Sequence, residues 1–171
     1  HLPTRRQRQM CIRDRLIQDA RRHHIMVLPV DVNHSSWDHQ ILSSADQQQP
    51  PIRLGLRLIK GLSEAAGQRI HTAQRQRTFA NVADLRQRAC LDRGDMEALA
   101  AADALSGISG NRYQSHWQTM ALEAHRPLLP HDSAAQRSQD DAAVTAAPTL
   151  PEDVVADYQS TGLTLRSHPL T

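Results

Sequence analysis

Aromatic side chains are scarce. They make up 3% of the 171 residues and are limited to Trp37, Phe79, Tyr113, Trp117 and Tyr158. With 39% of the chain hydrophobic, the sequence supports a modest core and not one large aromatic-packed globule. Cysteine is scarcer still. Cys11 and Cys90 cannot make a disulfide framework and suit a reducing compartment, so a cytoplasmic setting is expected. No run of 18 apolar residues exists, which excludes a helical membrane span. The first residues lack the charged, apolar, then small pattern of a secretory signal. There is no Gly-rich P-loop and no Ser nucleophile elbow. The chain opens on His1 and stops after His168-Pro169-Leu170-Thr171, and it reads as a piece of something longer.

Lysine is almost absent too: 19 of the 20 basic residues are arginine, and Lys60 is the exception. Arginine suits bidentate phosphate contacts. The net charge of +2 is unevenly spread. Residues 1–30 hold seven Arg against two Asp, and residues 51–90 hold seven Arg and Lys60 against Glu64 and Asp84. Residues 31–50 carry three Asp, and residues 91–126 and 127–171 are net acidic. The basic charge therefore lies in the first 90 residues.

Residues 1–15 carry five Arg and two Gln without apolar period. The run Met10-Cys11-Ile12-Arg13-Asp14-Arg15 looks like a translated sequencing-adapter scar, so this stretch reads as non-native or disordered. Leu16, Ile17 and Ala20 on one side and Asp19, Arg21 and Arg22 on the other predict a helix reaching His23–His24. Residues 25–33, 37–42 and 52–56 read as short strands; Pro29 pushes the first to an edge. Gln47-Gln48-Gln49-Pro50-Pro51 is a loop tip.

From residue 57 the period changes. Leu58 to Glu64 reads as an apolar turn, a tight connection and a helix start, with Ser63 as N-cap and Glu64 in the first turn. Leu62, Ala66, Ile70 and Ala73 form its buried stripe, and Gly67 within it costs about 1 kcal/mol relative to Ala. Asn81 caps a helix with Val82, Leu85 and Ala89 inside. Leu91-Asp92-Arg93-Gly94-Asp95 is a second tight connection, leading to a helix with Met96, Leu99 and Ala102 inside. Residues 106–110 break the chain. Asn111 caps a last helix with Tyr113, Trp117, Met120 and Ala124 on one side, read as core. Residues 126–150 hold three prolines, with a fourth just beyond at Pro151, and no period, which suggests a linker. Residues 151–162 form an amphipathic helix using Val154, Val155 and Tyr158, closed by Gly162. Leu163-Thr164-Leu165 reads as the first strand of a further domain.

Two helix–tight hairpin–helix units are the strongest chemical signal. Glycine lets the backbone turn sharply and approach another chain closely. The following helix N-terminus offers unpaired N–H groups and partial positive charge, a phosphate site that reads no base. Lys60, Arg57, Arg69 and Arg75 would add charge at the first hairpin. An ordinary αα-hairpin with a solvated basic face accounts for the same residues, and both readings stand at this point. His23, His24, His34 and His39 have no Cys pair or His-x-x-x-His helix to support a zinc site, and solvated or capping roles are simpler. Asp31, Asp38 and Asp46 read as turn and strand-end residues. Cys90 reads as an inert core thiol. Trp37 reads as strand packing in preference to base stacking.

Several ordered blocks carry a resemblance: Val30-Asp31-Val32-Asn33-His34-Ser35-Ser36-Trp37-Asp38, Arg53-Leu54-Gly55-Leu56-Arg57-Leu58-Ile59-Lys60-Gly61-Leu62, Leu91 through Leu105, and Asn111-Arg112. With the late stretches Asp153 through Tyr158 and Thr161 through Arg166, residues 16–171 resemble bacterial C-family DNA polymerases, the family of the polymerase III α subunit. The wording is similar to the error-prone, translesion branch. The absence of a Gln-x-x-Leu/Met-x-Phe clamp-binding motif after the hairpins fits that branch. The replicative pattern has a second hairpin glycine where this chain has Ser63.

The resemblance implies an α+β, mostly α fold. Residues 16–56 would end the fingers with a helix and short strands, and residues 57–125 would be a tandem helix–hairpin–helix module. A linker over 126–150 and residues 151–171 would lead into an OB-type barrel outside the chain. It implies a DNA-binding fragment of an error-prone DNA-directed DNA polymerase used in damage-tolerant synthesis. The catalytic palm, with its magnesium ions, would lie upstream, so no catalytic or metal-binding residue is expected here. The DNA-binding residues would be Arg57, Lys60, Gly61, Leu62, Ser63, Arg69, Arg93 and Gly94. The partners would be primer–template duplex and other translesion-synthesis proteins. A stand-alone helix–hairpin–helix DNA-binding or scaffold protein is the alternative.

Overall fold

The computed structural model describes residues 15–43, 49–124 and 147–166. Expectations over 1–14, 44–48, 125–146 and 167–171 lie outside the described residues; they cover Cys11, Asp46 and most of the linker. Helix α1 (residues 15–22) includes Arg15, which the sequence placed in a non-native segment. It buries Ile17, while Leu16, one residue and 100° away, is exposed. A turn at His23–His24 follows, with His24 at φ +58°.

The three expected strands exist but are only two residues long: β1 (Val27–Leu28), β2 (Gln40–Ile41) and β3 (Ile52–Arg53). β3 lies in the middle, parallel to β1 and antiparallel to β2. β1 is thus an edge strand, as Pro29 requires. The strands stop early because side chains take over the backbone. Asp31 accepts from the Asn33 amide at 2.7 Å, and buried Ser35 donates to the Leu54 carbonyl at 2.8 Å. Asn33 then pairs with Phe79 in both directions, at 2.7 Å and 3.2 Å. This ties the strand region to the helices.

A 3-10 turn (Leu56–Leu58) leads into α2 (Glu64–Gln76), α3 (Val82–Arg88), α4 (Arg93–Ala101), α5 (Ser106–Ser109), α6 (Arg112–Ala124) and α7 (Leu150–Ser160). The predicted stripes are buried: Leu62, Ala66, Ile70 and Ala73; Val82, Leu85 and Ala89; Met96, Leu99 and Ala102. Ser63 accepts from Ala66 N–H, Asn81 from Asp84 N–H and Asn111 from Gln114 N–H, so all three expected caps form. The expected break over 106–110 is the short helix α5, and the chain turns at Gly110.

Helix α6 lies the other way round from its apolar pattern. Trp117 is 60% exposed, Met120 49% and Tyr113 39%, whereas Arg112, Ser115 and Thr119 are buried. The hydroxyls of Ser115 and Thr119 donate to the carbonyls of Asn111 and Ser115 one turn back. That satisfaction lets a polar face go inward. Arg112 has buried acidic partners on α7, described below. Helix α7 buries Val154 but exposes Val155, and residues 163–165 form no strand among the described residues. Leu163 is instead buried in the same core that runs from Ile17 through Leu105. The segments expected as separate units therefore share one interior.

Trp37, expected on a strand, lies in a bend and packs on helix α2. A Cβ built on Gly67 would stand 2.4 Å and 2.9 Å from its ring. The helical penalty of this glycine is the condition for seating the indole. Gly67→Ala is therefore expected to destabilise by about 1–3 kcal/mol, through overpacking that exceeds its helix-propensity gain of about 1 kcal/mol. Urea denaturation followed by Trp fluorescence checks this; a rise in stability would contradict it.

Candidate nucleic-acid interface

Both hairpins are built by the same three-residue device. In the first, Gly61 takes φ +89°, Leu62 turns into the core and Ser63 caps α2. In the second, Cys90 takes φ +48°, Leu91 turns into the core and Asp92 caps α4. The left-handed residue reverses the chain, the leucine anchors it, and the cap starts a helix. The repeat places Arg93 and Gly94 inside the first turn of α4, not in the connection where the sequence put them. It also places Cys90 on the surface, which corrects the reading of a core thiol.

The hairpins interlock. Arg69, from α2, donates to the Ala89 carbonyl at 2.9 Å and pairs with Asp95 at 3.3 Å. Gly61 faces the Ala98 side chain of α4, with a built Cβ 3.7 Å away. Of the remaining predicted basic residues, Arg75 lies in the last turn of α2, away from the first hairpin, and the others have partners. Arg57 pairs with Asp38 at 2.6 Å, and Arg93 with Glu97 at 2.7 Å. Lys60 donates its Nζ protons to the carbonyls of Tyr158 and Gln159, each at 2.8 Å, and its amide to the Ser160 carbonyl at 2.8 Å. The side chain of Leu62 is buried and the Ser63 hydroxyl oxygen accepts from Ala66 N–H. The Leu62 amide donates to the Ile59 carbonyl at 3.4 Å, so of these two it is Ser63 that can offer a ligand its backbone amide.

The two helix starts differ in charge. At α2 the cap is a neutral hydroxyl. At α4 it is a capping box: Asp92 accepts from Asp95 N–H at 2.8 Å, and Asp95 accepts from Asp92 N–H at 3.5 Å. Two carboxylates thus sit on the amides that would receive an anion, whereas the first turn of α2 keeps amides without i−4 carbonyls. Among the described residues, no group of three or more His, Cys, Asp and Glu side chains is placed to hold a metal ion.

Two ionic clusters escaped the sequence reading. At the α2–α3 connection, Asp84 takes Arg77 at 3.1 Å, Arg88 at 3.3 Å and the Ala80 amide at 3.2 Å. Burial works against the Asp84 carboxylate, but the Ala80 hydrogen bond and the two arginines hold its pKa below the ordinary aspartate value. Under α7, buried Arg112 pairs with Asp153 at 2.9 Å and with Asp157. Arg166 joins Asp153 at 2.7 Å and Asp103 at 3.0 Å. Burial pushes the Asp103 carboxyl up despite Arg112 and Arg166, and Asp153 and Asp157 push it further. The i,i+4 spacing of Asp153 and Asp157 was the available signal, but their partners are distant in sequence.

Two measurements follow. Asp84→Asn should lower stability by about 1–2 kcal/mol at pH 7, the scale of a charge-assisted hydrogen bond. Because folding lowers this pKa, its stabilisation is present above the unfolded value of 3.8 and is lost as pH falls through the folded one. The gap between variant and parent should therefore close below pH 3.8; a gap independent of pH would contradict the assignment. Cys90→Gly should stabilise by about 0.5–1 kcal/mol, because an L-residue is strained at this φ. A lowered denaturation midpoint would contradict that.

Comparison with known proteins agrees with this geometry. Residues 24–115 match a family model described as the helix-hairpin-helix motif. The chain is 48% identical over 159 residues to an error-prone DNA polymerase of Ralstonia nicotianae, covering 91% of this chain and 15% of that protein. It is 42% identical over 173 residues to one of Methylococcus capsulatus, covering 91% of this chain and 16% of that protein. For one of Saccharophagus degradans the identity is 45% over 158 residues, with 91% and 15% covered. The chain thus spans about 15% of the length of these relatives. Its two repeated hairpins and the family match over residues 24–115 together establish that the chain belongs to the helix-hairpin-helix motif family.

Proposed function

We propose that this chain is the duplex-holding part of an error-prone DNA-directed DNA polymerase used in damage-tolerant, translesion synthesis. The observation that carries this reading is the 42–48% identity to proteins of that name across 91% of the chain. On this reading the hairpins grip phosphates, and no residue here is catalytic. Nucleotide transfer with two magnesium ions belongs to a palm outside these 171 residues. The setting is the bacterial cytoplasm. No helix among the described residues is long and apolar enough to cross a membrane. Other translesion-synthesis proteins are the expected protein partners.

The first hairpin is the main contact. The amides of Gly61, Ser63, Glu64 and Ala65 lie next to a neutral cap and suit a phosphate oxygen, whereas that of Leu62 donates to the Ile59 carbonyl. Lys60, Arg57 and Arg69 flank the hairpin. The second hairpin is the weaker contact, because Asp92 and Asp95 offset Arg93 and cover the helix start at Gly94. Amide contacts to phosphate read no base, so affinity should not depend on duplex sequence.

Duplex titration of the 171-residue chain at several salt concentrations tests this. Unrelated duplexes should bind equally, and log K should fall linearly with log salt, by about 0.9 per phosphate neutralised. Gly61→Val should weaken binding about tenfold or more, because a β-branched residue disfavours positive φ and fills the approach. Binding that depends on sequence, or that survives Gly61→Val unchanged, would overturn the proposal.

A further inference from the structure

We infer that helix α7 is a built-in competitor of DNA: it covers the first hairpin with a phosphate-like set of acceptors and must leave when duplex binds. This rests on the duplex-binding reading above. Arg57 and Arg69 pair with Asp38 and Asp95, but two cations that line one cleft on this side, Lys60 and Arg112, are held by α7. Lys60 takes the carbonyls of Tyr158 and Gln159 with its ammonium and that of Ser160 with its amide. Arg112 takes the carboxylates of Asp153 and Asp157. The C-terminal end of α7, which carries the partial negative charge of its last carbonyls, therefore stands at the hairpin. A phosphate approaching Gly61 meets this negative end and a lysine whose ammonium already donates to α7 carbonyls.

The way α7 is held makes release feasible. Within the helix, Val154 is the buried apolar side chain; Asp153 and Ser160 are the other buried residues. Docking of the helix itself is thus mostly ionic and polar, while Leu163 just beyond it stays tethered in the core. Leaving a buried charge without its partner is costly, so release requires an anion that takes the place of the α7 carboxylates, as a phosphate does. A cleft of about 380 Å³ remains between α7 and the module, lined among others by Lys60, Arg112, His116 and Gln159. Undocked, an 11-residue helix is too short to persist alone.

Two neutral substitutions on α7 separate release from charge. Val154→Asn removes the buried contact, and Val155→Asn alters the exposed neighbour in the same helix. Neither changes net charge or touches the hairpin. In the full chain, Val154→Asn should bind duplex at least threefold more tightly than Val155→Asn. Its salt dependence should be steeper by about 0.9 for each cation released. Hydrogen exchange on the unaltered chain gives an independent reading: saturating duplex should speed exchange at residues 158–162. Equal or weaker binding by Val154→Asn, with α2 to α4 still protected, would overturn the inference. Unchanged or increased protection of 158–162 on DNA would do the same. If no variant and no parent chain binds duplex, the duplex-binding reading itself fails, and this inference with it.

Discussion

The structure depends on a backbone constraint used twice. A residue with positive φ must stand immediately before a buried leucine and a capping side chain. Gly61-Leu62-Ser63 meets it without strain, and Cys90-Leu91-Asp92 meets it with an L-residue in a left-handed conformation. Because the leucines are fixed in one core, the starts of α2 and α4 are fixed relative to each other. Arg69 locks the arrangement from α2 onto the second hairpin. A related turn, without a helix after it, closes α7 at Gly162-Leu163-Thr164. There Gly162 has φ +79°, Leu163 is buried and Thr164 accepts from Arg166 N–H at 3.1 Å.

Within this frame, a large part of the positive charge of residues 51–90 is already engaged. Arg57, Arg77, Arg88 and Arg69 have carboxylate partners, and Lys60 has the end of α7. Exposed pairs such as Arg57–Asp38 are worth about 0–1 kcal/mol and can re-form on a phosphate. The buried set under α7 cannot do so without moving the helix. On the proposed duplex-binding reading, two kinds of group meet phosphate: backbone amides fixed by the hairpin, and cations that α7 engages in its absence.

Much of the architecture was legible in the sequence. The caps Ser63, Asn81 and Asn111 and the three buried stripes follow from local chemistry and helical period. What failed were features decided by distant partners. Trp117 and Met120 form an apolar stripe yet face outward, because Arg112 on the opposite side has buried acids on α7. Cys90 looked like core from its place beside an apolar helix, but the hairpin needs it on the surface with positive φ. Gly94 looked like the hairpin glycine, and it is only the second residue of α4. Arg57, Lys60 and Arg69 stand beside the hairpins, whereas Arg75 lies in the last turn of α2, away from them. The partners of the first three, 19 to 99 positions away in sequence, could not be read.

The central claim is that duplex phosphates meet the amides of the first hairpin. Amide chemical-shift mapping of the 171-residue chain against two duplexes of unrelated sequence tests it most directly. The account predicts that the largest perturbations fall on Gly61 and on Ser63 to Ala65, the same for both duplexes, with smaller changes at Arg93 and Gly94. Perturbations centred elsewhere, or different for the two duplexes, would contradict it.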